Sequence, residues 1–183
     1  MEKKKSLTDD PALMFVVKLV GSYALWKILH RLVQDTPWWL RFTKALGHQI
    51  ALICAAVNNW FGLATTVDGI NMWMGPAFYL GVKEHCLALP ATFVFVLTIL
   101  LMPGKPKQKL WFIPFGVGVL HFVNLMRFNV LSYLLVNFSK TFFEFTHSWV
   151  YLGIFYGIDM LLLMYWINHY AFQTKPPKES TAV

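Results

Sequence analysis

The chain of 183 residues is 57% hydrophobic and only 14% charged, and its mean hydropathy is +0.50. A soluble domain of this size carries about 25% charged residues, so the composition excludes an ordinary soluble fold and predicts one integral membrane domain over residues 1–183. The net charge of +7 does not indicate a nucleic-acid partner. The lysines concentrate in the tails and in one loop beside apolar stretches, as they do on the cytoplasmic side of membrane proteins.

The first part of the chain is predicted to form two helices and a hairpin. A polar N-terminal tail, residues 1–10, precedes an apolar stretch from Pro11 to Val33. The next helical pattern, Trp38–Leu63, is predicted to be an amphipathic helix that lies in the interface or faces a bundle interior. Asp68-Gly69 between two short β-prone runs predicts a short extracytoplasmic hairpin. The apolar stripe of the second helix consists of Phe42, Leu46, Ile50, Ile53, Val57 and Trp60.

Three further apolar stretches predict membrane spans, namely Cys86–Met102, Leu110–Leu131 and Trp149–Tyr170. The middle stretch makes about 33 Å of helix, against a hydrocarbon core of about 30 Å. A basic C-terminal tail, residues 171–183, follows the last span. We therefore expect an all-α integral membrane helical bundle of four to five transmembrane helices, since the pattern leaves open whether both of the first two stretches cross.

The predicted topology brings three chemically active side chains to one side of the membrane. The basic loop over residues 103–109 is expected to be cytoplasmic. Along the two helices that flank this loop, Cys86 lies about 24 Å and Arg127 about 26 Å away from it. His147 precedes the last span by two residues. All three side chains are therefore expected near the outer face.

A thiol, a fixed positive charge and an imidazole at one depth are the parts of a cysteine nucleophile site. Cys86 stands at a predicted helix start beside cationic neighbours, and both features are expected to lower the pKa of a thiol. Arg127 follows Asn124 on one face of its helix and stays charged at any accessible pH. Each residue also has a structural interpretation when it is taken singly. Cys86 is typical of a small buried residue, Arg127 of a snorkelling cation, and His147 of an interfacial hydrogen-bonding residue.

The order of these residues resembles the signature blocks of the exosortase/archaeosortase family, within a core over residues 43–170. Members of that family are multi-spanning membrane enzymes proposed to act as cysteine transpeptidases. The chain departs from the family's usual Cys-Ser-Gly-Leu, because the small polar pair after the cysteine is absent. The blocks read Cys86-Leu87-Ala88-Leu89, Asn124-x-x-Arg127, and His147 with Gly153 downstream.

The resemblance implies an exosortase-like cysteine peptidase or transpeptidase, which is a hydrolase. It also implies that the enzyme lies in a bacterial cytoplasmic (inner) membrane, with its active site facing the periplasm or exterior. Cys86 would be the nucleophile, His147 the general base and then acid, and Arg127 the group that stabilises the oxyanion, with Asn124 supporting Arg127. The implied partners, besides the lipid bilayer, are membrane-anchored substrate proteins with a C-terminal sorting signal. Such a signal has a short Pro-Glu-Pro-type motif, a hydrophobic helix and a basic end.

The alternative is a non-enzymatic transporter-like or cofactor-binding membrane bundle. Its best feature is a set of ionisable groups inside the apolar stretches that could line an ion path, namely Lys18, Lys27, His121 and Asp159. No metal or other cofactor is expected, because neither Cys54 nor Cys86 belongs to a zinc or haem motif. Two residual features are expected to be structural: Asp159 is predicted to pair with Lys18 or Lys27, and Gly153-x-x-x-Gly157 is predicted to be a helix-packing motif.

Overall fold

The computed structural model describes residues 11–171, so the predicted tails over residues 1–10 and 172–183 lie outside the described part. Within it, the chain forms six α-helices and one small antiparallel sheet. The helices are α1 (Pro11–Val33), α2 (Pro37–Trp60), α3 (Leu89–Leu101), α4 (Pro106–Asn137), α5 (Lys140–Phe145) and α6 (Tyr151–Trp166). The strands are β1 (Thr65–Asp68), β2 (Asn71–Met74) and β3 (Phe78–Gly81).

Among the described residues, three helical stretches are long and apolar enough to cross a membrane. They are Ala12–Val33, Pro106–Asn137 and Lys140–Ala171, the last of which joins α5 and α6 into one helix through a π-helical turn. Helix α3 is apolar, but its 13 residues reach only about 20 Å, less than the hydrocarbon core of about 30 Å. The predicted all-α membrane bundle is confirmed, and the expected four to five spans roughly agree with this set.

Helix α3 lies at the centre of the bundle and ends among lysine side chains. The ammonium group of Lys18 donates to the carbonyl of Leu101 at 2.7 Å, and that of Lys109 donates to the carbonyl of Met102 at 2.7 Å. Cations at a helix C-terminus donate hydrogen bonds to its free carbonyls and interact favourably with the helix dipole. At the middle of α3, the ring of Phe95 fills the space that a Cβ at Gly116 would occupy, so α3 and α4 pack closely.

Helix α2 packs on the protein with a different face from its apolar stripe. The stripe residues Phe42, Ile53 and Trp60 are 45%, 48% and 85% exposed, so the large apolar groups point away from the rest of the chain. Small residues permit the close approach that stabilises helix contacts in membranes, which explains why most of the inward face is built from them, alongside Trp39 and the stripe residue Ile50. The buried residues of α2 are Trp39, Thr43, Gly47, Ile50, Ala51, Cys54, Ala55 and Asn58.

The predicted hairpin is confirmed and is part of a larger sheet. Strands β1 and β2 pair antiparallel around Gly69, whose φ of +60° suits glycine. The sheet also contains β3, which pairs with β2 and was not predicted, because Gly75-Pro76 indicated the end of the β-structure rather than a second turn. Strand β3 leads directly into the segment that carries Cys86, so the sheet fixes that segment from one side.

Two structural expectations for the last helix are wrong. Asp159 forms no ion pair with Lys18, Lys27 or any other residue in the described range. At Gly153 and Gly157 an added Cβ would meet no atom within 4 Å, so this motif makes no helix contact inside the described chain. Both features instead lie where the bundle leaves space around α6.

Candidate active site

Cys86 lies in a tight turn between β3 and α3 rather than at the start of a helix. The turn is a 3₁₀ helix over Glu84–Cys86, closed by a hydrogen bond of 2.8 Å from the amide of Cys86 to the carbonyl of Lys83. Ala88 follows with a φ of +60°, in the left-handed region, and α3 begins at Leu89. The predicted helix start was therefore three residues too early, and the thiol does not lie at the N-terminus of α3.

The carboxylate of Glu84 ties this turn to the first two helices. Its Oε1 accepts a hydrogen bond from the indole of Trp39 at 2.7 Å and contacts Nε2 of His30 at 2.7 Å. Burial raises the pKa of Glu84, but the hydrogen bonds from His30 and Trp39 and the charge of His30 outweigh it and lower the pKa overall. The turn that carries the candidate nucleophile is therefore held from α1 and α2 by a single carboxylate.

The side chain of Asn124 holds the same turn from the opposite side. Asn124 is 1% exposed, and its Nδ2 donates to the backbone carbonyl of Cys86 at 2.9 Å. The sequence interpretation assigned Asn124 to the support of Arg127, one helical turn further along α4. In the structure the amide instead positions the main chain of Cys86, because α4 runs directly behind the turn.

Arg127 and His147 are in direct contact. Nη2 of Arg127 lies 3.2 Å from Nε2 of His147, and since a guanidinium only donates, Nε2 must be the acceptor. The hydrogen-bond network thus assigns the ring proton of neutral His147 to Nδ1. The Nε atom of Arg127 is buried without a hydrogen-bond partner. Arg127 therefore offers one further N–H donor at the site.

His147 does not precede the last helix but lies within it. Residues Thr146–Val150 form a π-helical turn between α5 and α6, and the ring of His147 stacks on that of Phe143 at 5.9 Å between centroids. Single π turns inside helices occur often at functional sites. The wider turn brings the imidazole to Arg127, and no hydropathy pattern could have indicated it.

The thiol of Cys86 is 4% exposed and packs in an apolar cluster with Ile50, Cys54 and Phe128. Burial raises the pKa of Cys86 above its ordinary value, although the charge of Arg127, backbone and charge interactions with Lys83, and a hydrogen bond to Arg127 all lower it. The expectation of a lowered thiol pKa was wrong, since it considered neighbouring charges but not burial by α2 and the sheet.

A small cavity of about 70 Å³ opens beside Arg127 and His147. Cys86 does not line this cavity, but His85 and Ala88 from the same segment do. His85 and the tyrosines Tyr151 and Tyr156 were not among the predicted site residues. The remaining lining residues are Pro90, Asn124, Leu152 and Phe155.

The structure brings all four predicted residues into one connected group. Nη2 of Arg127 contacts the imidazole of His147, the charge of Arg127 acts on the thiol of Cys86, and Asn124 bonds the main chain of Cys86. Within residues 11–171, no hydrogen bond joins the thiol directly to His147. The arrangement contains a thiol, an imidazole and a fixed cation.

Fold and site together define a multi-pass helical membrane protein with a cysteine, an arginine and a histidine gathered at one end of the bundle. The family described as transmembrane exosortase (Exosortase_EpsH) matches residues 9–165. The chain belongs to the transmembrane exosortase family, and this membership supports a membrane transpeptidase of the exosortase kind. The match begins before the predicted core of 43–170 and includes α1. No curated protein and no solved structure matches the chain.

Proposed function

We propose that the protein is a cysteine transpeptidase or protease that cleaves the C-terminal sorting signals of exported proteins. Its substrates are membrane-anchored, and the reaction takes place at the extracytoplasmic face of a bacterial inner membrane. The observation that carries the proposal is the position of Arg127, whose guanidinium lies 3.2 Å from the His147 imidazole and whose charge acts on the Cys86 thiol. Thiol, base and cation are the groups that acyl transfer from an amide requires.

In the proposed reaction the thiol proton moves to Nε2 of His147 as sulfur attacks the substrate carbonyl carbon. The carbonyl oxygen becomes an oxyanion, and Arg127 supplies the positive charge and its unpaired Nε–H donor to stabilise it. The C–N bond then breaks, and His147 returns the proton to the leaving amine. An acceptor nucleophile attacks the thioester, which releases the product and the Cys86 thiol.

The charges of the chain support an extracytoplasmic site. Lys105 and Lys109 lie at the N-terminal end of α4, and Lys18 joins them at the C-terminal end of α3. Basic residues at a helix end favour the cytoplasmic side. Arg127 lies 18 residues beyond Lys109 on α4, which corresponds to about 27 Å of helix and nearly the thickness of the hydrocarbon core. This distance supports a site at the opposite face.

The contacts of the intramembrane cations favour this proposal over a transporter. Lys18 is engaged with the carbonyl of Leu101 at the end of α3, and the ammonium of Lys27 lies 5.5 Å from the ring centroid of Tyr23. Both lysines therefore have local partners, whereas an ion path needs polar groups that face one another across a continuous channel.

The test is co-expression with a membrane-anchored reporter that ends in a Pro-Glu-Pro-type motif, an apolar helix and a basic end. Cys86→Ala and Cys86→Ser are expected to abolish processing, which is measured as the reporter's shift in mobility. Cys54→Ala is the matched control, because Cys54 is also buried but its thiol lies 3.9 Å from the carbonyl of Leu125 and interacts with Asn129 rather than with Arg127. Immunoblots normalise each variant for its amount in the membrane. Wild-type processing by Cys86→Ala would refute the proposal.

A further inference from the structure

An apolar groove runs down the side of the bundle below the candidate site. It has a volume of about 300 Å³ and lies between α1, α3 and α6. Its lining is apolar except for two tyrosine hydroxyls and one carboxyl group, that of Asp159. Because α1 and α6 contain two of the three candidate membrane spans, the groove faces the lipid-exposed side of the chain.

Asp159 is the unexplained group in this groove. Its side chain is 94% buried, since its exposure is 6%, and its Oδ1 has no hydrogen-bond partner. A buried polar atom without a partner is costly, and an ionisable residue inside a membrane span usually serves a function. The described chain provides no donor for this oxygen, so the groove presents an acceptor to a ligand.

The groove is continuous with the candidate site. Pro90 and Tyr156 line both the groove and the cavity beside Arg127 and His147. Asp159 follows His147 by 12 residues on the same helical stretch, which places it about 18 Å further into the bundle. A polypeptide cleaved at the site can therefore continue down the groove without leaving the surface of α6.

We propose that this groove binds the apolar transmembrane segment of the substrate, and that Asp159 selects segments with a hydrogen-bond donor about 12 residues after the cleaved bond. The proposal rests on the proposed function and names the element that this function uses to recognise its substrate. A helix that enters from the bilayer lays one face against the apolar lining, and a Ser, Thr or Lys side chain on that face donates to Asp159. A lipid acyl chain fills the same lining but offers no donor.

The binding mode is tested by cysteine crosslinking, which does not require catalysis. Both variants are made in a background that lacks the native cysteines (Cys54→Ala, Cys86→Ala). Met160→Cys introduces a thiol into the groove. Leu161→Cys introduces a thiol outside the groove, at a neighbouring position of α6 that is 66% exposed. The probe is the reporter with single cysteines at positions 8 to 16 after the motif. Met160→Cys is expected to form a disulfide preferentially with cysteines near position 12, and Leu161→Cys is not. Equal crosslinking by both variants, or none by Met160→Cys, would overturn the proposal and indicate a lipid-filled groove.

The role of Asp159 is tested by moving a single serine through the reporter's apolar helix. Wild-type protein is expected to process the reporter about three- to tenfold faster with the serine near position 12 than elsewhere, the factor that one hydrogen bond in a membrane provides. Asp159→Asn keeps an acceptor and retains the preference, whereas Asp159→Leu loses it. A preference that persists in Asp159→Leu contradicts the selection. If crosslinking succeeds but no wild-type reporter is processed, the proposed function fails while the groove assignment stands.

Discussion

The left-handed backbone at Ala88 gives the sharpest prediction for stability. Ala88 has a φ of +60° and a ψ of 9° immediately before α3, a conformation that only glycine adopts without a steric cost. The family pattern that the cysteine block resembles has glycine at this position. We therefore expect Ala88→Gly to be nearly neutral, although Ala88 is only 7% exposed and belongs to the main apolar core.

The expected magnitude follows from three opposing effects. Loss of one buried methyl group costs about 0.8 kcal/mol, and the greater freedom of glycine in the unfolded chain costs about 0.4–1 kcal/mol. Relief of the left-handed strain contributes about 1–2 kcal/mol in the other direction. The three effects nearly cancel, so the free energy of unfolding should change by no more than about 0.8 kcal/mol.

Ala91→Gly is the matched control, because Ala91 is 4% exposed and lies in the same core but inside helix α3. There the methyl loss and the poor helix propensity of glycine add, and the cost is about 1.7 kcal/mol. In detergent micelles, the melting temperature of Ala91→Gly should fall about 3–7 °C below that of Ala88→Gly. Equal melting temperatures would show that the strain at Ala88 is not relieved by glycine, and would refute the reasoning.

Two further predictions concern the groups that hold the Cys86 turn. Asn124→Ala leaves a buried carbonyl unpaired and should lower the free energy of unfolding by about 1–3 kcal/mol in denaturant titrations. Asn137→Ala, which removes only a bond to the carbonyl of Tyr133 within the exposed end of α4, should change it little, and equal losses would contradict the assigned role. Burial raises the pKa of Glu84, but its hydrogen bonds from His30 and Trp39 outweigh burial and lower the pKa overall. Its stabilising effect is therefore present above its unfolded pKa of about 4.3 and is lost as the pH falls through the folded value. Melting temperatures should therefore fall less between pH 6 and pH 3 in Glu84→Gln than in the wild type, and parallel curves would show that the carboxylate does not stabilise the turn.

The sequence predicted the elements of this fold better than their ends and faces. Long apolar stretches indicate membrane helices by composition alone, but the polar residues after Leu131 suggested a connector where α4 continues to Asn137. The hydroxyl of Ser132 donates to the carbonyl of Phe128 at 2.9 Å, and such local bonds keep polar residues inside a helix. The sequence also left open which face of α2 packs on the protein, because in a membrane this face is marked by small residues as well as by large apolar ones.

The sequence predicted that the candidate site residues lie at one depth, but it could not predict which of their side chains contact one another. Counting residues along helices places Cys86, Arg127 and His147 near one level, since the rise per residue is fixed. Which of these side chains contact one another depends on the rotation of α4 about its axis and on the π turn at His147. Neither feature leaves a signal in the hydropathy of the sequence. The surroundings of the thiol depend on α2 and the sheet, which are distant in sequence and decide its pKa through burial.

The hydrogen bond between Arg127 and His147 has a consequence for the proposed chemistry. In the unliganded arrangement, Nε2 of His147 accepts a hydrogen bond from Arg127 and is not free to take the thiol proton. A substrate carbonyl that enters the cavity competes for the same guanidinium, because it is a better acceptor once negative charge develops on its oxygen. Transfer of the Arg127 hydrogen bond from imidazole to carbonyl releases Nε2 at the moment when the thiol must lose its proton. In the proposed reaction, the buried Cys86 is thus converted to its nucleophilic form only when a substrate is present.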